Sequence, residues 1–263
     1  MFNKNVVPKL VTAVATGIAL SLVIAVDAPR AGAVTLAISN PGFEDPVLPD
    51  GGFTTNVLPG WQLYDPSGLV LLDATATDSS FGAFNPTGTG AYTSDRVPEG
   101  NNDAFIYLTQ NPGSGVAGIS QTLSSNLIAD TRYTLSVDVG NPIDYANFGL
   151  TGFPGYRVQL LAGGNVLAQD NNSFNPTEGT FATSTVSYIA LASDPNIGNP
   201  LEIRLLNSLQ GNGREVDFDN VRLDIAAVPE PASTVGTLVF GAFCVGSRFK
   251  KKLVSSNRSK LTV

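Results

Sequence analysis

A period of two constrains this chain most. In Arg132–Val139, RYTLSVDV, the residues Tyr133, Leu135, Val137 and Val139 fall on one side, with Arg132, Thr134, Ser136 and Asp138 on the other. That is the alternation of a strand with one buried face. Gly118 to Leu123 and Tyr156 to Leu160 repeat it, and Ala162-Gly163-Gly164-Asn165 then leads into Val166 to Gln169 as a hairpin would. Phe105 to Leu108, Phe181 to Leu191, Leu201 to Leu206 and Glu215 to Ile225 supply further strands. No ten-residue stretch between Val34 and Val228 carries a convincing 3.6-residue period, and the joining segments are rich in Gly, Pro, Asn and Asp, as turns require. The expected body is one all-β domain over residues 34–228, a two-sheet antiparallel sandwich.

Charge separates this body from its flanks. Residues 34–231 hold six arginines, no lysine and 21 acids, a net of −15, although the whole chain carries only −7. The chain has no histidine and one cysteine, Cys244. A Ser-His-Asp triad, a His-ligated zinc and an intrachain disulfide are therefore excluded. A body of this charge with scattered arginines is repelled by phosphates, so no nucleic-acid partner is expected.

The two ends look like addresses. Lys4 and Lys9 precede an uncharged run from Leu10 to Val26, and Ala31-Gly32-Ala33 offers small residues before Val34. Residues 1–33 read as a secretory signal peptide, so export is expected. The other end runs Pro229-Glu230-Pro231, then an apolar stretch from Ala232 to Ser247, then Arg248-Phe249-Lys250-Lys251-Lys252. A helix of those 16 apolar residues falls short of a roughly 30 Å hydrocarbon core and could span it only by thinning the bilayer or by snorkelling of the basic residues. Cys244 within it reads as a small apolar residue. In this order the three elements over 229–263 resemble a PEP-CTERM sorting signal. The resemblance implies a bacterial protein, an exosortase as processing partner, a membrane-anchored precursor, and a destination in the cell envelope or outside the cell.

The body carries a second resemblance. Asn40-Pro41-Gly42-Phe43-Glu44, Pro59-Gly60-Trp61, Gly118–Leu123, Tyr133–Val137 and Val216–Leu223 are similar, in order and spacing, to a galactose-binding-like jelly roll of the carbohydrate-binding-module type. The resemblance implies a jelly-roll sandwich and a structural calcium ion at Glu44 and Asp219, with Asp45 and Asp217 adjacent. Calcium needs six to eight oxygens, so carbonyls and water would complete two carboxylates. It also directs attention to two Gly-rich segments read as loops, Ser79–Tyr92 and Asp144–Tyr156. Their Phe81, Phe84, Tyr92, Tyr145, Phe148 and Phe153 are the candidate ligand-binding aromatics. Trp61, after Pro59-Gly60, reads as core.

No acid occupies a recognisable catalytic context, and residues 34–228 lack His, Lys and Cys. The expectation is a non-enzymatic exported protein whose sandwich binds carbohydrate, an exopolysaccharide in particular. The alternative is a structural, adhesive surface protein using calcium-bridged acidic contacts.

Overall fold

The structure, a computed structural model, describes residues 32–72 and 78–228. The expected signal peptide, apart from its last two residues, lies outside the described residues, as do the Pro229-Glu230-Pro231 motif, the apolar stretch 232–247 and the basic tail. Among the described residues no helix is long and apolar enough to cross a membrane.

The chain order is β1 (Val34–Thr35), β2 (Gln62–Tyr64), β3 (Ser80–Phe84), β4 (Asp103–Tyr107), β5 (Ala117–Asn126), β6 (Thr131–Asn141), β7 (Tyr156–Ala162), β8 (Asn165–Asn171), β9 (Thr180–Ala190), β10 (Pro200–Asn207) and β11 (Glu215–Ala227). They form two antiparallel sheets. One runs β3-β4-β11-β6-β9, with β1 also pairing β11; the other runs β2-β5-β10-β7-β8. The all-β, jelly-roll-like sandwich stands. Ser79–Tyr92 is not purely a loop: β3 lies inside it and pairs with β4, Phe81 opposite Ile106. Its Gly, Asn and Pro content hid a five-residue strand.

Alternation places the core as the sequence predicts. Tyr133, Leu135, Val137 and Val139 of β6 meet Val158, Leu160, Ile203 and Leu205 of the facing sheet, all fully buried. Each such side chain contributes about 1.5–3 kcal/mol by leaving water. On β11, Val216 and Phe218 point inward, and so do Val221 and Leu223. The parity changes because the register with β6 shifts between Asp219 and Arg222, where Asn220 takes φ +54°. One extra residue at such a bulge turns the following side chains over. Trp61 is 6% exposed, packs 5.5 Å from Phe43 and donates its indole N–H to the Asn40 carbonyl at 3.1 Å.

Candidate active site on the outer sheet face

A strand whose other face met water would alternate in burial, yet all five residues of β4 are buried. Ala104 and Ile106 face the sandwich; Asp103, Phe105 and Tyr107 face outward into a second, smaller core. Their cross-strand partners on β11 are Asp217 opposite Phe105 and Glu215 opposite Tyr107. On the other flank Phe84 stands opposite Asp103. Ala91 and Tyr92, from the segment joining β3 to β4, cover this face together with Tyr145, Phe148 and Leu150, from the segment joining β6 to β7.

Gly140 on β6 makes room for Tyr92. A Cβ there would lie 2.5 Å from the tyrosine oxygen and 2.6 Å from the Phe181 ring. Tyr92 stacks on Phe181 with ring centres 4.4 Å apart and donates its hydroxyl to Oδ2 of Asp217. The second oxygen of Asp217 and both oxygens of Asp103 are buried and receive no hydrogen bond from another described residue.

Three carboxyls thus share a buried sheet face, and none of them forms an ion pair among the described residues. Burial raises the proton affinity of Asp103 and Glu215 well above the ordinary carboxylate range, and repulsion from Asp217 adds to it. Burial raises Asp217 as well, to about 7, while the Tyr92 hydroxyl, bonding its ionised form, works against that rise. Burial and the same acids push the Tyr92 hydroxyl far up, so it stays a donor.

Beside these acids a small, largely aromatic pocket opens to the surface. Its walls are Phe53, Phe84, Phe105, Tyr107, Tyr145 and Phe148, with hydroxyls from Thr55 and Ser80 and a single carboxyl, Glu215. Phe84 and Tyr145 stack at 5.3 Å with planes 10° apart, and Phe148 stands edge-on to Tyr145 at 6.0 Å. Glu215 is 8% exposed and forms no side-chain hydrogen bond among the described residues. Such a box suits a flat, apolar, electron-rich molecule presented to one protonated acid.

Of the six aromatics singled out from the sequence, Phe84, Tyr92, Tyr145 and Phe148 come together here. Phe81 and Phe153 instead belong to the main core between the sheets. Glu215, Asp103, Phe105 and Tyr107 were missed, because acids alternating along a strand read as a solvated face. The signal against that reading is Asp103–Tyr107, DAFIY, where apolar side chains occupy both faces.

Glu44 and Asp219 lie apart from this pocket. Glu44 Oε1 accepts the N–H groups of Asn101 (2.7 Å) and Asn102 (2.8 Å). The fully buried Asp219 accepts those of Glu99 (2.7 Å) and Asn220 (2.6 Å). Asp45 is exposed, and Asp217 is committed to Tyr92. Among the described residues no group of three or more His, Cys, Asp or Glu forms a metal-binding cluster, and no cofactor is established.

The sequence matches the HpiC1-like family (HpiC1 cyclase) over residues 34–224. A comparison with curated proteins returns no match. Among solved structures, the Stig cyclase FisC from Fischerella sp. TAU in complex with (3Z)-3-(1-methyl-2-pyrrolidinylidene)-3H-indole is 46% identical, with a TM-score of 0.72 over 75% of this chain and 100% of that one. A cyclase from Fischerella sp. TAU in complex with 4-(1H-indol-3-yl)butan-2-one gives the same identity, TM-score and coverage. Another structure of a cyclase from Fischerella sp. TAU is 44% identical, with a TM-score of 0.70 over 76% and 100% of the two chains.

These matches correct several expectations. The likeness to a PEP-CTERM protein with a carbohydrate-binding body gives way to a cyclase family. The non-enzymatic reading falls with it, in both its sugar-binding and its adhesive, calcium-bridged forms. The molecules bound in the matched structures are small indoles, which displaces an exosortase and an exopolysaccharide as partners. The physical reason is specific. The motifs of Gly118–Leu123, Tyr133–Val137 and Val216–Leu223 fall on β5, β6 and β11, so they encode the sandwich, and a sandwich hosts unrelated chemistries.

Proposed function

Because this chain belongs to the HpiC1-like cyclase family, we propose that it is a cyclase that closes a ring within an indole bearing an unsaturated side chain, with Glu215 as proton donor. The observation that carries this reading is the aromatic box with one carboxyl on its wall, held protonated by burial and by Asp217. The structures of 44–46% identity that hold indoles in two cases support the substrate class.

Chemically, the Glu215 carboxyl transfers its proton to a carbon of the electron-rich indole system. The positive charge that results rests against ring faces rather than water, an attraction of roughly 0.5–2 kcal/mol per favourable ring. The side-chain double bond attacks the electron-poor carbon, forming a C–C bond, and the product cation returns a proton to the Glu215 carboxylate. The product is an isomer of the substrate, and no co-reactant is consumed. The box adds orientation, because a flexible chain folded over the indole is brought close to its reacting geometry.

Incubation of the purified protein with an indole carrying an unsaturated side chain tests this. The expected result is a cyclised isomer of unchanged mass from the wild type and almost none from Glu215→Gln. A wild type that leaves a panel of such indoles unchanged would remove the reading.

Calcium at Glu44 and Asp219 is proposed as a brace and not as chemistry. Asp219 is buried, and burial together with nearby Glu99 and Asp138 raises its proton affinity to about 8, an environment that a divalent cation would relieve. Glu44 and Asp219 would hold the ion with backbone carbonyls and water, joining the opening segment to β11. An unchanged melting temperature with calcium and with chelator would overturn this, since a ion bound only by the native state raises it. Export is proposed as well, supported by Lys4, Lys9, the apolar run and Ala31-Gly32-Ala33; a mature N-terminus at Val34 is the expected observation.

A further inference from the structure

We infer that Arg214 is a positioning residue that holds the Tyr145–Phe148 wall of the pocket closed by acting through the hydroxyl of Tyr107. This rests on the cyclase reading for its effect on turnover, but not for the contact itself. Tyr107 lines the pocket and is 4% exposed. Its hydroxyl donates to the Phe148 carbonyl at 2.9 Å and accepts from Nη1 of Arg214 at 3.1 Å.

A guanidinium is a donor only, so the tyrosine oxygen must use a lone pair toward Arg214 and aim its single proton elsewhere. The Phe148 carbonyl is the acceptor in reach. Arg214 thereby sets the direction of the hydroxyl and, through it, the place of the loop.

Beyond the packing of Tyr145, Phe148 and Leu150, few hydrogen bonds hold that loop. Between Asp144 and Gly152 the bond from Tyr107 to Phe148 is the one hydrogen bond, among the described residues, that joins it to the rest of the protein. The bond from Gly149 N–H to Asp144 at 3.2 Å stays inside it. Asn147 at φ +60° and Gly149 at φ +76° fix the turn that presents Phe148. The Arg214 guanidinium also lies along Gly149, with Nη1 3.5 Å from where a Cβ would stand. Arg214 forms no ion pair among the described residues. Its contacts go to the hydroxyl that ties the wall and to the glycine beside Phe148, so it acts on the shape of the box and not on the reacting atoms.

The test compares Arg214→Met, which keeps length but loses the donor, with Arg214→Lys, which keeps a donor, and Tyr107→Phe, which loses the hydroxyl. Hydrogen–deuterium exchange over residues 142–155 reads the contact directly. Exchange should rise about five- to tenfold in Arg214→Met and in Tyr107→Phe, the effect of losing one modest hydrogen bond. It should rise no further in the double variant and should stay near wild type in Arg214→Lys. With an indole substrate, Arg214→Met should raise KM about as much, leave kcat within about twofold and broaden the ratio of ring isomers, with an unchanged melting temperature. Exchange that accelerates in Tyr107→Phe but not in Arg214→Met would overturn the role of Arg214, as would an Arg214→Met enzyme with wild-type KM and isomer ratio. A wild type that cyclises no indole would sink the proposed function alone, because the exchange comparison still decides the contact.

Discussion

Tyr92 crosses the space above Gly140 to donate its hydroxyl to Asp217, 125 positions away in sequence. The bond joins the segment between β3 and β4 to the strand at the centre of the sheet, and it gives a buried carboxylate the one donor that lowers its proton affinity. Removing that donor should be felt in both stability and ionisation. Tyr92→Phe should cost about 1–3 kcal/mol, the penalty for a buried polar group left unsatisfied. Urea unfolding measures it, and a loss near zero would mean that water replaces the hydroxyl.

Gly140→Ala probes the same contact from beneath. A methyl there collides with the Tyr92 oxygen and the Phe181 ring, both within 2.6 Å of its position. Overpacking of this kind costs about 1–3 kcal/mol, and the displaced Tyr92 should also disturb the pocket. The expected outcome is a lower melting temperature with reduced turnover; an alanine variant that matches the wild type in both would show that the sheet face yields freely.

Glu215→Gln preserves shape and removes the proton donor. General acid catalysis contributes roughly a hundred- to ten-thousandfold, so kcat should fall by that range, with little change in the affinity for an indole ligand. Retention of more than about a tenth of the rate would move the acid role away from Glu215.

Turnover and stability should both decline as pH rises. Glu215 must be protonated to act, so the rate is greatest below its raised pKa and lost as pH climbs through it. For stability, Asp103 and Glu215 ionise at about 3.8 and 4.5 when unfolded and well above those values when folded. Between the two limits the native state binds more protons, so the stability they contribute is full below the unfolded values and lost as pH rises through the folded ones. Asp170 works in the opposite direction: although burial raises its proton affinity, hydrogen bonds from Tyr156, Ser184 and Ser173 lower it further, so its contribution fades as the solution turns acid. A melting temperature that rises steadily from about pH 5 to pH 9 would contradict this assignment.

The sandwich was legible because its strands from β4 to β11 keep a period of two wherever one face is buried, as Tyr133–Val139 does. β3 was not, since Gly82 and Asn85 punctuate it like a turn. The pocket was partly legible. Phe84, Tyr145 and Phe148 stood out as aromatics in glycine-rich sequence, but Phe81 and Phe153 have the same context and point the other way. Which of them turns outward depends on strand parity and on the path of the segment between β6 and β7. Glu215 and Asp103 were hidden for a different reason: a carboxyl in a strand sequence looks hydrated until distant segments, joined by contacts such as Tyr107 to Phe148, exclude the water.

β11 serves two masters. Val216 and Phe218 build the interior while Glu215 and Asp217 furnish the outer site, and the bulge at Asn220 turns the strand over once it has passed the site. Inserting or deleting one residue upstream of that bulge would bring the acids into the sandwich and expose its hydrophobic residues. The ladder of backbone hydrogen bonds that lets the chain fold is thus also the ruler that places its chemistry. Variation in this strand must come by exchange of side chains, while the loops above it remain free to change in length.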